Sequence, residues 1–192
     1  MEEFEIKFLE VDVPKLEKKL LGIGASKVGE YDYLRANFDY PDLSMKNRHG
    51  WVRLRTDGTE TTLTYKESIR EKLKDGTEKI LSVKEIEVVV DDYKKIYELL
   101  KAIGLVVKVE EKNRRTRYQK GDVVFDIDSW PFIPTYLEIE SSSYEKVKAS
   151  AAELDFDPEK GLIGSAGTVY KKYGYDDLDK YSSITFEGMI KK

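Results

Sequence analysis

The sequence predicts an α+β fold: one antiparallel sheet made of two related halves, with helices packed against its apolar face. Three observations lead there. Charged and apolar residues alternate with period two in segment after segment, the pattern of half-buried strands. Helical spacing is confined to a few short stretches. The order strand-helix-strands then occurs twice along the chain.

The elements follow in order. Glu3-Phe4-Glu5-Ile6-Lys7-Phe8 alternates strictly and reads as the first strand. Asp12 before Pro14 is a helix start, and Val13, Leu16, Leu20 and Ile23 recur at helical spacing until Gly22 and Gly24 end the helix. A second strand covers about 26–39 and stops at Tyr40-Pro41-Asp42. Trp51–Arg55 and Thr62–Lys66 flank Asp57-Gly58, a hairpin signal. The polar stretch 68–79 is expected to be a loop, either a surface segment or a lid, before a strand from about Ile80 to Val90. Asp91 is expected to cap a helix whose apolar face carries Tyr93, Ile96, Tyr97, Leu100 and Ile103. A hairpin, 105–119 against 122–130, turns at Lys120-Gly121-Asp122, and Tyr136–Glu140 is the last strong strand. Residues 143–153 and 168–173 read as helical, while the polar tail after Asp176 has no clear pattern.

Composition narrows the chemistry. The 192 residues carry a formal net charge of −4, which speaks against nucleic-acid coating or binding to acidic membranes. No apolar run approaches the length of a membrane span, and MEEFEIKF lacks the features of a secretory signal, so a cytoplasmic protein is expected. There is no cysteine and only one histidine, His49, which is expected to be exposed. Chemistry must therefore run on carboxylates, Lys, Arg, hydroxyls and hard cations that prefer oxygen ligands.

Strand parity sorts the charges, since residues i and i+2 share a face. One face gathers Glu3, Glu5 and Lys7; Arg53 and Arg55; Lys66; Glu85 and Glu87; Arg115 and Arg117; Asp126 and Asp128; and Glu138 and Glu140. A solvated sheet face accounts for alternation by itself. Two features favour a sheet curled around its charges: ExE recurs on separate strands, and there are too many such strands for a flat two-layer sheet with few helices. Two like charges 4 Å apart repel by about 4 kcal/mol at an effective dielectric near 20. Enclosed carboxylates then need protons or a hard cation, Mg²⁺ or Mn²⁺, and clustered arginines need an anion whose shape fits their planar forks. Trp51 shares the parity of Arg53, so it either stacks on a ring or packs in the core. Lys171 and Lys172 either reach toward the anion or, as the default, lie on a solvated helix face.

These motifs resemble the CYTH superfamily, the triphosphate tunnel metalloenzymes. The Glu3-Phe4-Glu5-Ile6-Lys7 segment is similar to its N-terminal ExExK signature, followed in order by Arg53-x-Arg55, Lys66, a basic strand, Asp128 and Glu138-x-Glu140. Ser165–Tyr175 resembles, more loosely, the family's C-terminal plug. The resemblance implies an eight-stranded antiparallel closed β-barrel with helices outside, spanning residues 1–192 as one domain. It implies that Glu3, Glu5, Asp128, Glu138 and Glu140 hold one or two Mg²⁺ or Mn²⁺ ions, and that Lys7, Arg53, Arg55, Lys66, Arg115 and Arg117 grip a small-molecule triphosphate. Glu5, Lys7, Asp128, Glu138 and Glu140 would form the catalytic set. The stretch 112–117 admits two registers: Arg115 on phosphate with Asn113 where the family carries lysine, or Lys112 and Arg114 instead. Asp128-Ser129-Trp130-Pro131 also departs from the family's Gly-containing turn.

The expected activity is divalent-metal-dependent hydrolysis of a triphosphate by direct attack of water, since no Ser-His pair or cysteine supplies a nucleophile. Two alternatives stand beside it: cyclisation of ATP to cyclic AMP and pyrophosphate, and polyphosphate or nucleotide binding without turnover. The oligomeric state is left open, a homodimer included.

Overall fold

The computed structural model describes residues 4–72 and 78–192. In chain order the elements are β1 (Phe4–Phe8), α1 (Val13–Gly22), β2 (Ser26–Asp39), α2 (Ser44–Asn47), β3 (Gly50–Thr56), β4 (Thr61–Lys72), β5 (Glu78–Val90), α3 (Tyr93–Ala102), β6 (Val106–Lys120), β7 (Val123–Ser129), β8 (Tyr136–Ser141), α4 (Tyr144–Glu153), α5 (Ala166–Lys172), β9 (Tyr181–Thr185) and β10 (Gly188–Lys191). The α+β class and the antiparallel sheet are as expected. The strand path runs β1-β8-β7-β6-β2-β3-β4-β5, with β9 and β10 branching from β6. Among the described residues no ladder joins β1 to β5, so the expected closure is not among the strand pairings, and the strands number ten rather than eight. No described helix is long and apolar enough to cross a membrane.

The chain divides into two compact units, and they are interleaved rather than sequential halves. The first comprises residues 1–32 and 113–178, the second 33–112 and 179–192. The long strands β2 and β6 carry the chain from one unit to the other.

In the first unit the apolar parity of β1, β7 and β8 packs on helices. Ile6, Phe8, Phe125, Ile127, Leu137 and Ile139 form one core with Leu16 and Leu20 of α1, Val147 and Ala151 of α4 and its C-cap residue Leu154. Asp12 caps α1 by accepting from the Lys15 amide at 3.1 Å. The second edge of β1 is covered by a single bridge, in which Lys7 and Leu162 exchange backbone hydrogen bonds of 2.9 and 2.8 Å. Gly161 makes that approach possible, because a Cβ there would lie 2.0 Å from the Ile6 side chain.

In the second unit Ala36, Phe38 and Leu54 pack with Leu100 and Leu105, flanked by Tyr93, Ile96 and Tyr97 of α3. The α3 cap is Asp92, not Asp91: its carboxylate accepts from the Lys95 amide at 3.0 Å. Ile103 is the C-cap residue and is exposed, so the apolar stripe stops at Leu100. Asp39 is fully buried because it caps α2, accepting from the Met45 and Lys46 amides at 3.0 Å each.

The expected loop at 68–79 is mostly strand. β4 continues to Lys72 and β5 starts at Glu78, paired from Thr61↔Val90 to Lys72↔Glu78, while 73–77 lie outside the described residues. Its polar sequence hid it, since a segment without alternating apolar residues shows no amphipathic period. The unassigned tail forms the β9–β10 hairpin, and β9 runs parallel to β6 at Glu110↔Ser183 and Glu111↔Ile184.

Candidate active site

Register builds the first unit's charged face. Antiparallel pairing sets Glu5 opposite Glu140 and Lys7 opposite Glu138, then Glu138 opposite Asp126, Asp126 opposite Arg117 and Asp128 opposite Arg115. One oxygen from each of Glu5, Glu138 and Glu140 lies within 4.8 Å of the others, a spacing at which three carboxylates can share one cation. Lys7 reaches Glu5 and Glu138 at 2.8 Å each and is only 2% exposed. Burial works against its charge, but the two carboxylates outweigh it and hold the Lys7 ammonium above its ordinary pKa.

Asp126 and Asp128, each 1% exposed, are engaged by arginine. Arg115 grips Asp128 bidentately at 2.7 and 2.6 Å and reaches Asp126 at 2.5 Å, and Arg117 grips Asp126 at 2.8 and 2.7 Å. Burial opposes the Arg115 charge, and Asp128, Asp126 and Glu138 together raise its pKa further. Arg115 also approaches Glu138 at 3.7 Å, so these pairs border the three-glutamate cluster. The structure thus brings together Glu5, Lys7, Glu138 and Glu140 as expected. It places Asp128 on Arg115 and outside the three-carboxylate group. Glu3 lies outside the described residues.

The two registers at 112–117 separate clearly. Arg115 is 11% exposed on the charged face, whereas Arg114 is 65% exposed and pairs with Asp32. Lys112 likewise points outward to Glu187. Asn113, on the Arg115 parity, is buried with both amide atoms lacking a hydrogen-bond partner among the described residues.

The second unit carries a different face, also set by register. One row across β2, β3, β4 and β5 is Asn37↔Arg53↔Thr64↔Glu87. Thr64 donates to Glu87 at 2.6 Å, and Asn37 donates to Glu111 at 2.6 Å. Burial pushes the Glu111 carboxyl above its ordinary pKa, partly offset by Arg35, the Asn37 amide, Arg53 and Lys108. The adjoining row is Arg35↔Arg55↔Thr62. Lys66 pairs with Glu85 at 2.8 Å. Arg53, Arg55 and Lys66 therefore share one face, as expected, while Arg35, Asn37 and Glu111 join it unannounced. Their signal was present: Arg35 and Asn37 share parity along 26–39, and Glu111 shares that of Asn113 and Arg115. His49 is half-buried at φ 59 rather than exposed, Trp51 is half-buried outside the core, and Lys171 and Lys172 are solvated.

Comparison with known proteins bears on the family and the fold. A CYTH domain family model matches residues 1–168. The PH1012 protein of Pyrococcus horikoshii superposes with a TM-score of 0.68 at 22% identity, covering 87% of this chain and 98% of that one. An adenylate cyclase candidate from Vibrio parahaemolyticus gives 0.73 at 12% identity, covering 89% and 98%. HpAC1 of Hippeastrum, an adenylyl cyclase candidate described as having a dominant triphosphatase activity, gives 0.61 at 17% identity, covering 91% and 96%. No curated protein matches. At these identities the likeness is one of fold.

Proposed function

The chain belongs to the CYTH domain family, and on that premise we propose that it hydrolyses a triphosphate with the help of a divalent cation. The observation that carries this reading is the three-glutamate cluster of Glu5, Glu138 and Glu140 with Lys7 held against it. The donors are all hard oxygens, which fit Mg²⁺ or Mn²⁺ and offer nothing to softer metals. An ion bound there supplies positive charge to phosphoryl oxygens and orients water.

The chain's own residues do the rest. Glu5, Glu138 and Glu140 hold the cation, and Asp128 extends the acidic set through Arg115. Lys7 neutralises charge that develops on the phosphate chain, as do Arg115 and Arg117. Arg53, Arg55 and Lys66 bind phosphoryl oxygens, the arginines through planar forks. Water attacks a phosphorus so held, and the bridging oxygen leaves with the electron pair on the departing phosphate. Residues 1–192 are one domain in this reading. The triphosphatase activity described for HpAC1 supports hydrolysis ahead of cyclisation.

A substrate panel tests this: tripolyphosphate, thiamine triphosphate and ATP, each with Mg²⁺ or Mn²⁺, with phosphate, pyrophosphate and cyclic AMP resolved as products. Metal-dependent release of phosphate or pyrophosphate without cyclic AMP is expected. Cyclic AMP as the dominant product would make the chain a cyclase, and binding without turnover would make it a sensor.

A further inference from the structure

The helix side of β1, in the first unit, carries a feature that neither charged face uses. Phe8 has the opposite parity to Glu5 and Lys7, so it turns away from the three-glutamate cluster. Its ring stacks on Phe156, with centres 4.5 Å apart and 22° between the planes. Beside this stack opens a cavity of about 340 Å³, walled by the two rings with Leu9 and Leu162. Leu9, Phe156 and Leu162 are each only half-buried, so apolar surface is left facing the cavity. Ligand pockets are of this kind: concave, largely apolar, and fitted with a few polar groups.

The polar groups at the rim set the sign of the ligand. Lys160 and Lys172 bring two ammonium groups, and Glu10 brings one carboxylate. Both lysines are exposed. Lys160 stands 3.6 Å from Asp157, beyond a hydrogen bond, and Lys172 makes no ion pair among the described residues. Glu10 is already engaged, since the Tyr173 hydroxyl donates to it at 2.8 Å. Its backbone sits at φ 57, a conformation that costs a non-glycine residue and persists where the surroundings fix it. The rim thus offers a committed acceptor and two donors on flexible stems that can close on an added charge. A ligand that satisfies walls and rim together has an apolar body and one negative charge.

We propose that this pocket binds a small organic acid, aromatic or aliphatic. Its apolar body lies on Leu9, Phe156 and Leu162, and its carboxylate lies between Lys160 and Lys172. Such a site stands apart from the triphosphate chemistry and does not depend on it.

Calorimetric titration with three probes tests it: phenylpropionate, phenylpropylamine as the same body bearing a cation, and acetate as the carboxylate without the body. Saturable binding of phenylpropionate is expected, about tenfold or more tighter than either of the others. Lys160→Glu with Lys172→Glu should reverse the preference, so that the amine binds better than the acid. Both side chains are exposed, so this double variant should fold with the wild-type Tm. Glu10→Gln keeps an acceptor for Tyr173 and removes a like charge, so the acid should bind about threefold tighter. Arg53→Ala with Arg55→Ala should bind the acid as wild type does. Equal affinity for acid and amine, or no saturable binding in the millimolar range, overturns the site. Acid binding unchanged by the lysine reversal, or weakened by Glu10→Gln, also overturns it. Loss of acid binding in the arginine variant would place the acid on the second unit's face and overturn it as well.

Discussion

The charged face of the first unit carries five carboxylates, Glu5, Asp126, Asp128, Glu138 and Glu140, against three cations, Lys7, Arg115 and Arg117, in close pairs of 2.5–2.8 Å. The second unit's face carries four cations, Arg35, Arg53, Arg55 and Lys66, against three carboxylates, Glu85, Glu87 and Glu111, and its arginines stand 3.8 and 4.0 Å from Glu87. The same alternation of charged and apolar residues thus yields two opposite electrostatic states. An excess of carboxylates suits a divalent ion; an excess of cations suits an anion. The difference also separates what each charge does for stability. A buried, bidentate pair is costly to break from one side, while a partly exposed pair beyond hydrogen-bond distance contributes little.

Arg115 gives the largest expected effect. Arg115→Met leaves the buried Asp128 without its bidentate partner and Asp126 with Arg117 alone, which costs about 3–5 kcal/mol. In a chain of this size that is a fall of roughly 10 °C in Tm by thermal unfolding. The same substitution at Arg55 should change ligand-free stability by less than about 1 kcal/mol. Equal effects at the two positions would erase the contrast between the units.

Next comes the glutamate cluster. Glu140→Gln removes one cation ligand while Lys7 keeps both its ion pairs, so metal affinity by calorimetry and turnover should each fall about a hundredfold or more with Tm little changed. Glu138→Gln should lose the same activity and stability as well, because Glu138 is one of Lys7's two carboxylates. Full turnover in a folded Glu140→Gln protein would remove the metal assignment. Arg53→Ala with Arg55→Ala is expected to weaken triphosphate binding about ten- to a hundredfold and leave metal binding intact. Loss of metal affinity in that double variant would mean that the division of labour between the two faces is not real.

How much of this was legible in the sequence depended on whether a feature is local. Period-two alternation located β1, β3, β7 and β8 and assigned the faces of Glu5, Lys7, Arg53, Glu138 and Glu140, because parity is a property of one strand. Partner choice is not. Nothing along the chain says that Asp128 meets Arg115 in a bidentate pair, since that requires the β6–β7 register to set them opposite one another. Arg35 escaped because β2 is long and its exposed first half blurs the alternation of its second. The β9–β10 hairpin escaped because its short, polar strands lean on β6 for their identity. Two related halves were expected, but their interleaving escaped, because β2 and β6 cross from one unit to the other without any change in composition.

The smallest expected effect tests the second unit's balance from its acidic side. Glu111 faces Arg35, Arg53 and Lys108 and accepts from Asn37, yet burial prevails and its carboxyl titrates above the ordinary value of 4.5. A carboxyl with a raised folded-state pKa gives stability that is fully present below 4.5 and is lost as pH rises through the folded value. At neutral pH the wild-type chain therefore carries a penalty that a neutral side chain lacks. Glu111→Gln preserves volume and an acceptor for Asn37, so it should raise Tm at pH 7 by about a degree or two. The two melting curves should converge as pH falls below 4.5, where both side chains are neutral. A lower Tm for Glu111→Gln at pH 7 would mean that the three cations, not burial, govern this carboxylate. The positive excess of the second face would then be held in check by Glu111 instead of being open to an anion.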